Sequence, residues 1–158
     1  TMEKRVSLML KNRGDKYVIF YMVDLDNFKN VNDTLGHIYG DQAIVETAQC
    51  LNKVFANQDC IGRLGGDEFA VCVSYQAFDE QGLLEFIGKK AQEICAGNRR
   101  TYTDNASSVS ITSSIGVAYA PDMGDSFTEL YTQADCALYY SKANGKDQYH
   151  IYSPKDDN

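Results

Sequence analysis

The chain has 158 residues, of which 44% are hydrophobic, and its formal net charge is -7 at pH 7. This length and apolar content suit one compact core, so we expect a single domain over residues 1–158. The acidic balance argues against a nonspecific nucleic-acid binder, which would carry a basic face. Two histidines are also too few for a histidine-rich zinc site or a histidine-based triad.

Five cysteines are spread through apolar stretches without a C-x-x-C pair, a pattern typical of reduced core thiols. No apolar run reaches membrane-spanning length, and the residues after Thr1 show no signal-peptide pattern. We therefore expect a cytoplasmic domain without direct membrane contact, which is compatible with the cytoplasmic part of a membrane-anchored sensor.

The first half of the chain predicts a helix, a central strand and two more helices. Residues 2–12 look like the end of a helix, with apolar residues among charged neighbours. Residues 17–25 form a nearly continuous apolar run that ends in acid, which is typical of a strand buried on both faces. Residues 27–35 then predict a short helix and residues 39–55 a longer one with apolar residues at helical spacing.

The second half begins with a predicted β-hairpin. Gly65 and Gly66 separate two apolar stretches, and two consecutive residues that tolerate positive φ suit a two-residue type I′ turn. The later predicted elements are a helix over residues 78–96, a polar loop over 99–107, a strand over 109–118, a helix between Ser126 and Gly145, a strand over 149–152 and a frayed tail from 154 to 158. This order predicts an α/β or α+β fold with helices packed on a layered sheet.

Acidic residues follow both the first strand and the hairpin turn. If these elements lie side by side, Asp24, Asp26 and Asp67 converge, and such hard oxygen ligands are what Mg²⁺ prefers. Strand alternation sends Asp67 and Glu68 to opposite faces, so we expect one metal ligand from that pair. Metal ions bridging carboxylates and phosphates would suit phosphoryl chemistry. The competing interpretation is that these acids are solvated turn residues.

The segment after the first strand offers contacts for a nucleotide. Backbone N–H groups of Asn27, Phe28 and Lys29, at a helix N-terminus, could receive phosphate oxygens. We assign Asn32 and Asp41 to a purine, and the carboxylate favours guanine because it accepts from N1–H and the exocyclic amine. In the alternative interpretation, Asp41 caps a helix and Asn32 satisfies a turn.

Charged pairs complete the list of candidates. Lys142 and Lys146 are four residues apart near the end of the last predicted helix, so they would face one direction and could clamp a triphosphate. The commoner interpretation of such a pair is two solvated lysines without a ligand. Arg63 and Glu68 are expected to be cross-strand neighbours. A surface ion pair therefore competes with a catalytic role for Glu68.

Four blocks of the sequence share their order and spacing with one known family. They are Asp24-Leu25-Asp26-Asn27-Phe28-Lys29-x-x-Asn32-Asp33-x-x-Gly36-His37-x-x-Gly40-Asp41, Arg63-x-Gly65-Gly66-Asp67-Glu68-Phe69, Ser114-Ile115-Gly116-Val117-Ala118 and Ala134-Asp135-x-Ala137-Leu138-Tyr139-x-x-Lys142-x-x-Gly145-Lys146. On these residues the chain resembles the GGDEF domains, the diguanylate cyclases that condense two GTP into cyclic di-GMP.

The resemblance implies a palm-like nucleotidyl-cyclase fold, with a mostly antiparallel five-stranded sheet flanked by helices and the hairpin at the active edge. It implies Mg²⁺ or Mn²⁺ held by Asp24, the Leu25 carbonyl and Asp67, with catalytic roles for Asp67, Glu68 near the reacting 3′-hydroxyl, and Lys142. The implied GTP contacts are Asn32 and Asp41 to guanine, and the backbone of Asn27, Phe28 and Lys29 with Lys142 and Lys146 to phosphate.

Three departures from the family pattern carry consequences. Ala56 stands where the product-inhibition pattern Arg-x-x-Asp has its arginine, with Asp59 retained, so we expect that site to be disabled. Lys146 replaces the usual arginine and loses bidentate geometry toward phosphate. The family's Leu-Thr-Gly-Leu segment would lie upstream of Thr1, so the chain looks like an output domain excised from a larger sensor.

We therefore expect a metal-dependent diguanylate cyclase in which two protomers face each other and each 3′-hydroxyl attacks the other GTP. Its partners are then GTP, a second copy of the chain and an upstream sensory domain, with no nucleic acid. Without that sensory domain we expect a largely monomeric and weakly active fragment. The alternatives are a GGDEF-like domain that binds GTP and regulates a partner without catalysis, and a purely structural α/β module.

Overall fold

The computed structural model describes residues 1–55 and 59–157, so Ala56 of the expected product-inhibition pattern lies outside the described residues. The elements in chain order are α1 (Met2–Lys11), β1 (Tyr17–Asp26), α2 (Phe28–Leu35), α3 (His37–Val54), β2 (Cys60–Gly65), β3 (Glu68–Tyr75), α4 (Glu80–Asn98), β4 (Arg100–Thr103), β5 (Ser108–Ala120), α5 (Phe127–Ala143), β6 (Gln148–Ile151) and a 3₁₀ helix (Pro154–Asp157).

A single mixed sheet joins the described strands in the order β2-β3-β1-β5-β4, with β6 also paired to β5. Every pair is antiparallel except β5 with β6. The expected helix-flanked and mostly antiparallel architecture is confirmed, with six strands in place of five. Because β1 is central, the acids at its end lie between β3 and β5, and Asp24 pairs with Glu68 on one side and Ser114 on the other.

Helices cover both faces of the sheet, as the continuous apolar run of β1 predicts. On one face Ile19, Tyr21 and Val23 pack in a cluster with residues of α3 and α4. On the other face Phe20 and Met22 pack in a cluster with residues of α1 and α5. Strand alternation therefore gives each face its own core, and the even-numbered residues of β1 belong to the face that α5 covers.

Helix α5 packs closely on β5 at Gly116. A Cβ atom there would overlap the backbone of α5 at the carbonyl oxygen of Ala134 and the nitrogen of Leu138. Glycine thus lets the helix lie directly on the sheet. The last turn of the helix then places the Lys142 ammonium 3.3 Å from the Leu25 carbonyl oxygen, at the end of β1.

The polar loop predicted for residues 99–107 is wrong, because β4 lies within it and forms a hairpin with the start of β5. The exposed hydroxyls of this hairpin bond across the strands, Thr101 to Ser110 and Thr103 to Ser108, each at 2.8 Å. A strand with one hydroxyl-lined face is too polar to be recognised from apolar alternation.

The predicted frayed tail is also wrong as far as residue 157. Its 3₁₀ helix is held by Asp156, whose Oδ2 accepts from the Ser153 N–H and lies 2.8 Å from Nε2 of His150. The five cysteines are all free, as expected. Across the described residues, the helices are too short or too polar for any of them to cross a membrane.

Candidate functional site

The β2–β3 hairpin carries its acids to the end of β1. Gly65 still pairs with Glu68, so Gly66 and Asp67 form the turn, and the register shifts between Arg63 and Gly65. The predicted turn at Gly65 and Gly66 is therefore wrong, and Asp67 lacks the positive φ that a type I′ turn requires there. The expected pairing of Arg63 with Glu68 is wrong too. Arg63 opposes Phe69, and its Nε donates to the Gly66 carbonyl at 2.8 Å.

The structure brings Asp24 and Asp67 together. Burial raises the pKa of Asp24, the nearby Lys142 ammonium opposes this rise, and the adjacent Asp67 carboxylate adds to it by charge and by hydrogen bonding. Leu25 fixes the turn beside them, since its N–H donates to the Asp67 carbonyl at 3.2 Å. Two like charges thus share one partly buried corner, which a cation would stabilise.

Glu68 belongs to the same corner, because it lies directly opposite Asp24 across β1 and β3. Burial raises the pKa of Glu68, and the charges of Asp135 on α5 and of Asp67 raise it further. Asp67 and Glu68 are therefore both close to Asp24. Strand alternation does not separate them because Asp67 is a turn residue.

The expected convergence of three carboxylates on one metal is wrong, because no group of three such side chains among the described residues is arranged to hold an ion. Asp26 is buried, and its side chain accepts hydrogen bonds from Thr112 at 2.6 Å, Ser114 at 2.7 Å and Lys142 at 2.7 Å, and from the Asp147 N–H at 3.1 Å. Burial alone would raise the pKa of Asp26, but the hydrogen bonds from Lys142, Thr112 and Ser114, together with the Lys142 charge, outweigh it and lower the pKa. Its oxygens are engaged within the protein.

Lys142 connects the two acids of β1. Its Nζ lies 2.7 Å from Asp26 Oδ1, 3.4 Å from Asp24 Oδ2 and 3.3 Å from the Leu25 carbonyl oxygen. The ammonium thus contacts two of the groups expected to bind a metal and neutralises part of their charge. The oxygen atoms at the end of β1 thus already attract one positive charge.

The donor atoms fit a hard divalent cation. Asp24 Oδ1 is buried without a hydrogen-bond partner. Buried polar atoms are normally paired, so this oxygen is available to a ligand. Among the described residues, no group of three or more His, Cys, Asp and Glu side chains is arranged to hold a metal. A cation here would draw on Asp24, Asp67 and the Leu25 carbonyl, with the remaining positions left to water and substrate oxygens.

The N-terminus of α2 follows β1 directly. Asn27 takes a left-handed conformation with φ of 70°, and no side chain caps the helix. The first N–H groups of a helix lack intrahelical partners, so those of Phe28 and Lys29 can meet an anion. The Lys29 side chain is exposed and pairs with Asp33 at 2.8 Å, which leaves the contribution of Lys29 to its backbone.

Asn32 and Asp41 lie close together where α2 meets α3. Gly40 precedes Asp41, and a Cβ at Gly40 would overlap Asn32 Oδ1. The Asn32 side chain therefore packs closely against Gly40 in the first turn of α3. Gly40 thus lets Asn32 approach α3 one residue before Asp41.

Lys146 does not follow the helical spacing expected of it. Helix α5 ends at Ala143, and Gly145, Lys146 and Asp147 all take positive φ values, of 119°, 60° and 49°. Lys146 is exposed in this turn and its N–H donates to the Ser141 carbonyl at 3.0 Å. Lys142 and Lys146 therefore do not share a helix face, so the expectation based on helical spacing is wrong.

Sequence reasoning assigned no role to four residues that surround the acids of the site, namely Thr112, Ser114, Asp135 and Asp147. Alternating hydroxyls at the start of β5 are a usable signal, because even-numbered residues there lie beside Asp26 in the sheet register. Asp147 has no such signal, since its backbone N–H rather than its side chain contacts Asp26.

Comparison with known proteins places these features in one family. Residues 1–148 match the model of the diguanylate cyclase GGDEF domain. The chain is 35% identical over 141 residues to the bifunctional diguanylate cyclase/cyclic di-GMP phosphodiesterase MucR of Pseudomonas aeruginosa, covering 89% of this chain and 20% of MucR. It is 32% identical over 142 residues to the cyclic di-GMP phosphodiesterase PdeR of Escherichia coli, covering 90% of this chain and 20% of PdeR.

A solved structure gives the same result. The GGDEF domain of the Pseudomonas aeruginosa protein TpbB, also called YfiN, superposes with a TM-score of 0.87 at 29% identity, covering 98% of this chain and 89% of that one. The chain spans only about one fifth of the length of the two curated relatives. The chain therefore belongs to the family of diguanylate cyclase GGDEF domains.

Proposed function

We propose that this chain is a diguanylate cyclase domain that condenses two GTP molecules into cyclic di-GMP and pyrophosphate. The observation that carries the proposal is the corner where the Asp24 and Asp67 carboxylates, the Leu25 carbonyl and the Lys142 ammonium meet at one end of the sheet. This is a site for a cation and a polyphosphate, built from parts of the chain that are distant in sequence.

The proposed reaction forms two phosphodiester bonds. In each, the 3′-oxygen of one GTP attacks the α-phosphorus of the other, the bond to the β-phosphate breaks, and pyrophosphate leaves with the electron pair. A bound Mg²⁺ or Mn²⁺, held by Asp24, Asp67 and the Leu25 carbonyl, would supply charge neutralisation and activation of the attacking hydroxyl. Glu68 accepts the hydroxyl proton, a role that its raised pKa suits.

Nucleotide binding uses the edges on either side of this corner. The N–H groups of Phe28 and Lys29, at the uncapped start of α2, receive phosphate oxygens. Lys142 and Lys146 approach the phosphates from the end of α5, while Asn32 and Asp41 bind guanine. Asn27 supports the loop, since its Nδ2 donates to the Ser110 carbonyl at 3.3 Å.

A single protomer holds one GTP, so the proposed reaction needs a second copy facing the first. An upstream sensory domain would control that encounter in the longer protein. The cyclase domain itself would work in the cytoplasm, where GTP is present. The relatives are compatible with a multidomain arrangement, because this chain matches about one fifth of each.

The second candidate is a domain that binds GTP and regulates a partner without catalysis. It is favoured by one observation, that a relative at 32% identity is named a phosphodiesterase, the opposing activity. The two candidates share nucleotide binding and differ in turnover.

The test is GTP turnover with Mg²⁺, followed as pyrophosphate release by the wild type, by Asp67→Asn and by a control, Asp122→Asn, in an exposed turn. We expect release by the wild type and the control, and loss in Asp67→Asn. GTP binding without release by the folded wild type, at every protein concentration tested, would instead support the regulatory candidate. Absence of both binding and release would reject both.

A further inference from the structure

Asp26 has more hydrogen bonds than a solvated turn residue would have. Oδ1 accepts from the Ser114 hydroxyl and the Lys142 ammonium, and Oδ2 accepts from the Thr112 hydroxyl and the Asp147 N–H. Four donors fill the approximately four acceptor positions of a carboxylate. The side chain therefore has a fixed orientation and no position left for a ligand.

The donors on Asp26 come from two separate parts of the chain. The hydroxyls belong to β5, the strand beside β1, and hold the carboxylate from the sheet side. The other two donors come from the end of α5 and the turn that follows it. Asp26 is thus the point at which this end of α5 is attached to the sheet.

The turn after α5 needs such an attachment. Three consecutive residues with positive φ are unfavourable where two of them, Lys146 and Asp147, are not glycine. The Asp147 N–H donates to Asp26, and the Asp147 carboxylate binds Nε of Arg99 at 2.9 Å. These contacts fix the backbone that carries Lys146.

We propose that Asp26 is a positioning residue for triphosphate recognition, which holds both the Lys142 ammonium and the Lys146 turn at the phosphate end of the nucleotide. The inference rests on the proposed function in one respect, that these lysines bind the phosphates of GTP. It assigns Asp26 no contact with the metal or the nucleotide. Asp24, two residues earlier on the same face, keeps the ligand role.

The variant Asp26→Asn tests this with little change in shape. It removes the charge that attracts Lys142, and its amide nitrogen cannot accept the hydrogen bonds that Oδ1 or Oδ2 accepts. The control is Asp156→Asn, because the Asp156 side chain is 8% exposed and also binds a backbone N–H and a basic side chain, but lies in the C-terminal 3₁₀ helix. A loss seen only in Asp26→Asn is then not a general effect of removing a buried charge.

The binding measurement uses 3′-deoxy-GTP with Mg²⁺, which lacks the attacking hydroxyl and so separates affinity from turnover. We expect the Kd to rise about tenfold in Asp26→Asn, as for loss of a charge-assisted hydrogen bond, and to stay unchanged in Asp156→Asn. In a background that carries both Lys142→Gln and Lys146→Gln, Asp26→Asn should add less than about twofold, because a residue that acts only through these two side chains has no effect of its own once both are changed. Additive losses, or no loss, would overturn the inference.

A second measurement needs no nucleotide. In the free protein, acetylation of Lys142 by an N-hydroxysuccinimide ester should be several-fold faster in Asp26→Asn than in the wild type, with exposed Lys89 as the internal reference. Equal rates would show that Asp26 does not hold Lys142. If Asp26→Asn does not fold, Thr112→Val can replace it, because this variant removes one donor to Asp26. We expect a smaller rise in the Kd and a smaller increase in the acetylation rate of Lys142. No change in either quantity would also overturn the inference.

These measurements also separate the inference from the proposed function. Wild-type protein that binds GTP and turns it over, with Asp26→Asn equal to it in affinity and in Lys142 reactivity, would overturn the inference alone. Wild-type protein that binds no GTP would overturn the proposed function and the recognition role of Asp26 with it, whatever the acetylation rates show about Lys142.

Discussion

The carboxylates of Asp24 and Asp67 lie side by side, although Asp24 belongs to the central strand β1 and Asp67 lies in a hairpin turn. Their proximity leaves like charges next to each other and one oxygen of Asp24 buried without a partner. Such an arrangement costs stability in the free protein and favours any cation that reaches it. The arrangement of Asp24 and Asp67 therefore favours cation binding and lowers the stability of the free protein.

Asp67→Asn should separate stability from activity. Removing one of two adjacent charges relieves repulsion, so we expect a higher Tm than that of the wild type in the absence of divalent cations. The same change should abolish the rise in Tm that Mg²⁺ gives the wild type, and lower turnover by at least about 100-fold. Differential scanning fluorimetry with and without Mg²⁺ measures the first two effects. A variant that Mg²⁺ stabilises as much as the wild type would argue against metal binding by Asp67.

Gly40→Ala should weaken guanine recognition without unfolding the domain. The added Cβ would overlap Asn32 Oδ1, and a side-chain end can move away where a backbone atom could not. Losing the Asn32 contact should raise the Kd for 3′-deoxy-GTP about five- to tenfold. Asn32→Ala should give the same loss, and the double variant no more than either single one. Additive effects in the titrations would mean that Gly40 acts by another route.

Lys146→Arg should tighten nucleotide binding. A guanidinium can bind phosphate oxygens in a bidentate manner, whereas an ammonium acts as a point charge. We expect the Kd for 3′-deoxy-GTP to fall several-fold by isothermal titration calorimetry, while Lys89→Arg on α4, which is exposed, leaves it unchanged. Equal affinity in all three proteins would place Lys146 away from the phosphates.

Gly116→Ala should destabilise the fold, because its Cβ would overlap the backbone of α5 at Ala134 and Leu138. Overpacking of this kind costs about 1–3 kcal/mol of the free energy of unfolding, as urea titration would measure. Gly62→Ala is the matched control in a strand, because only the flexible end of Met2 would need to move. Comparable losses in the two variants would mean that α5 does not pack on the sheet as closely as the structure shows.

Turnover per protomer should rise with protein concentration, because each product molecule needs two facing protomers. We expect a nearly linear rise at low concentration, and a higher rate after fusion to a parallel coiled coil that dimerises the chain. Sedimentation at the same concentrations would relate activity to the dimer fraction. Constant specific activity from a protein that sediments only as a monomer would contradict catalysis between two protomers.

Much of this fold follows from local sequence patterns. The two-sided apolar run of β1, the helical spacing of α3 and the glycines of the hairpin each predict their element, and the acids at the end of β1 mark its functional edge. These signals work because burial and backbone conformation act on neighbouring residues. The strand β4 fails this rule, since its exposed threonines make it resemble a loop.

The supporting contacts of the site could not be predicted, because they depend on how distant elements meet. Asp26 has the same residue type and face as Asp24, yet its neighbours are the hydroxyls of β5 and the backbone of Asp147. Spacing alone cannot distinguish an acid that faces a ligand from one that faces donors. Lys146 illustrates the same limit, since its position depends on where α5 ends.

Product identification by mass spectrometry, after incubation of concentrated protein with GTP and Mg²⁺, tests the central claim most directly. We expect one cyclic di-GMP for every two pyrophosphates from the wild type, and neither product from Asp67→Asn. GTP recovered intact from folded, dimeric wild-type protein that binds it would contradict the claim that the acids of β1 and the hairpin serve catalysis.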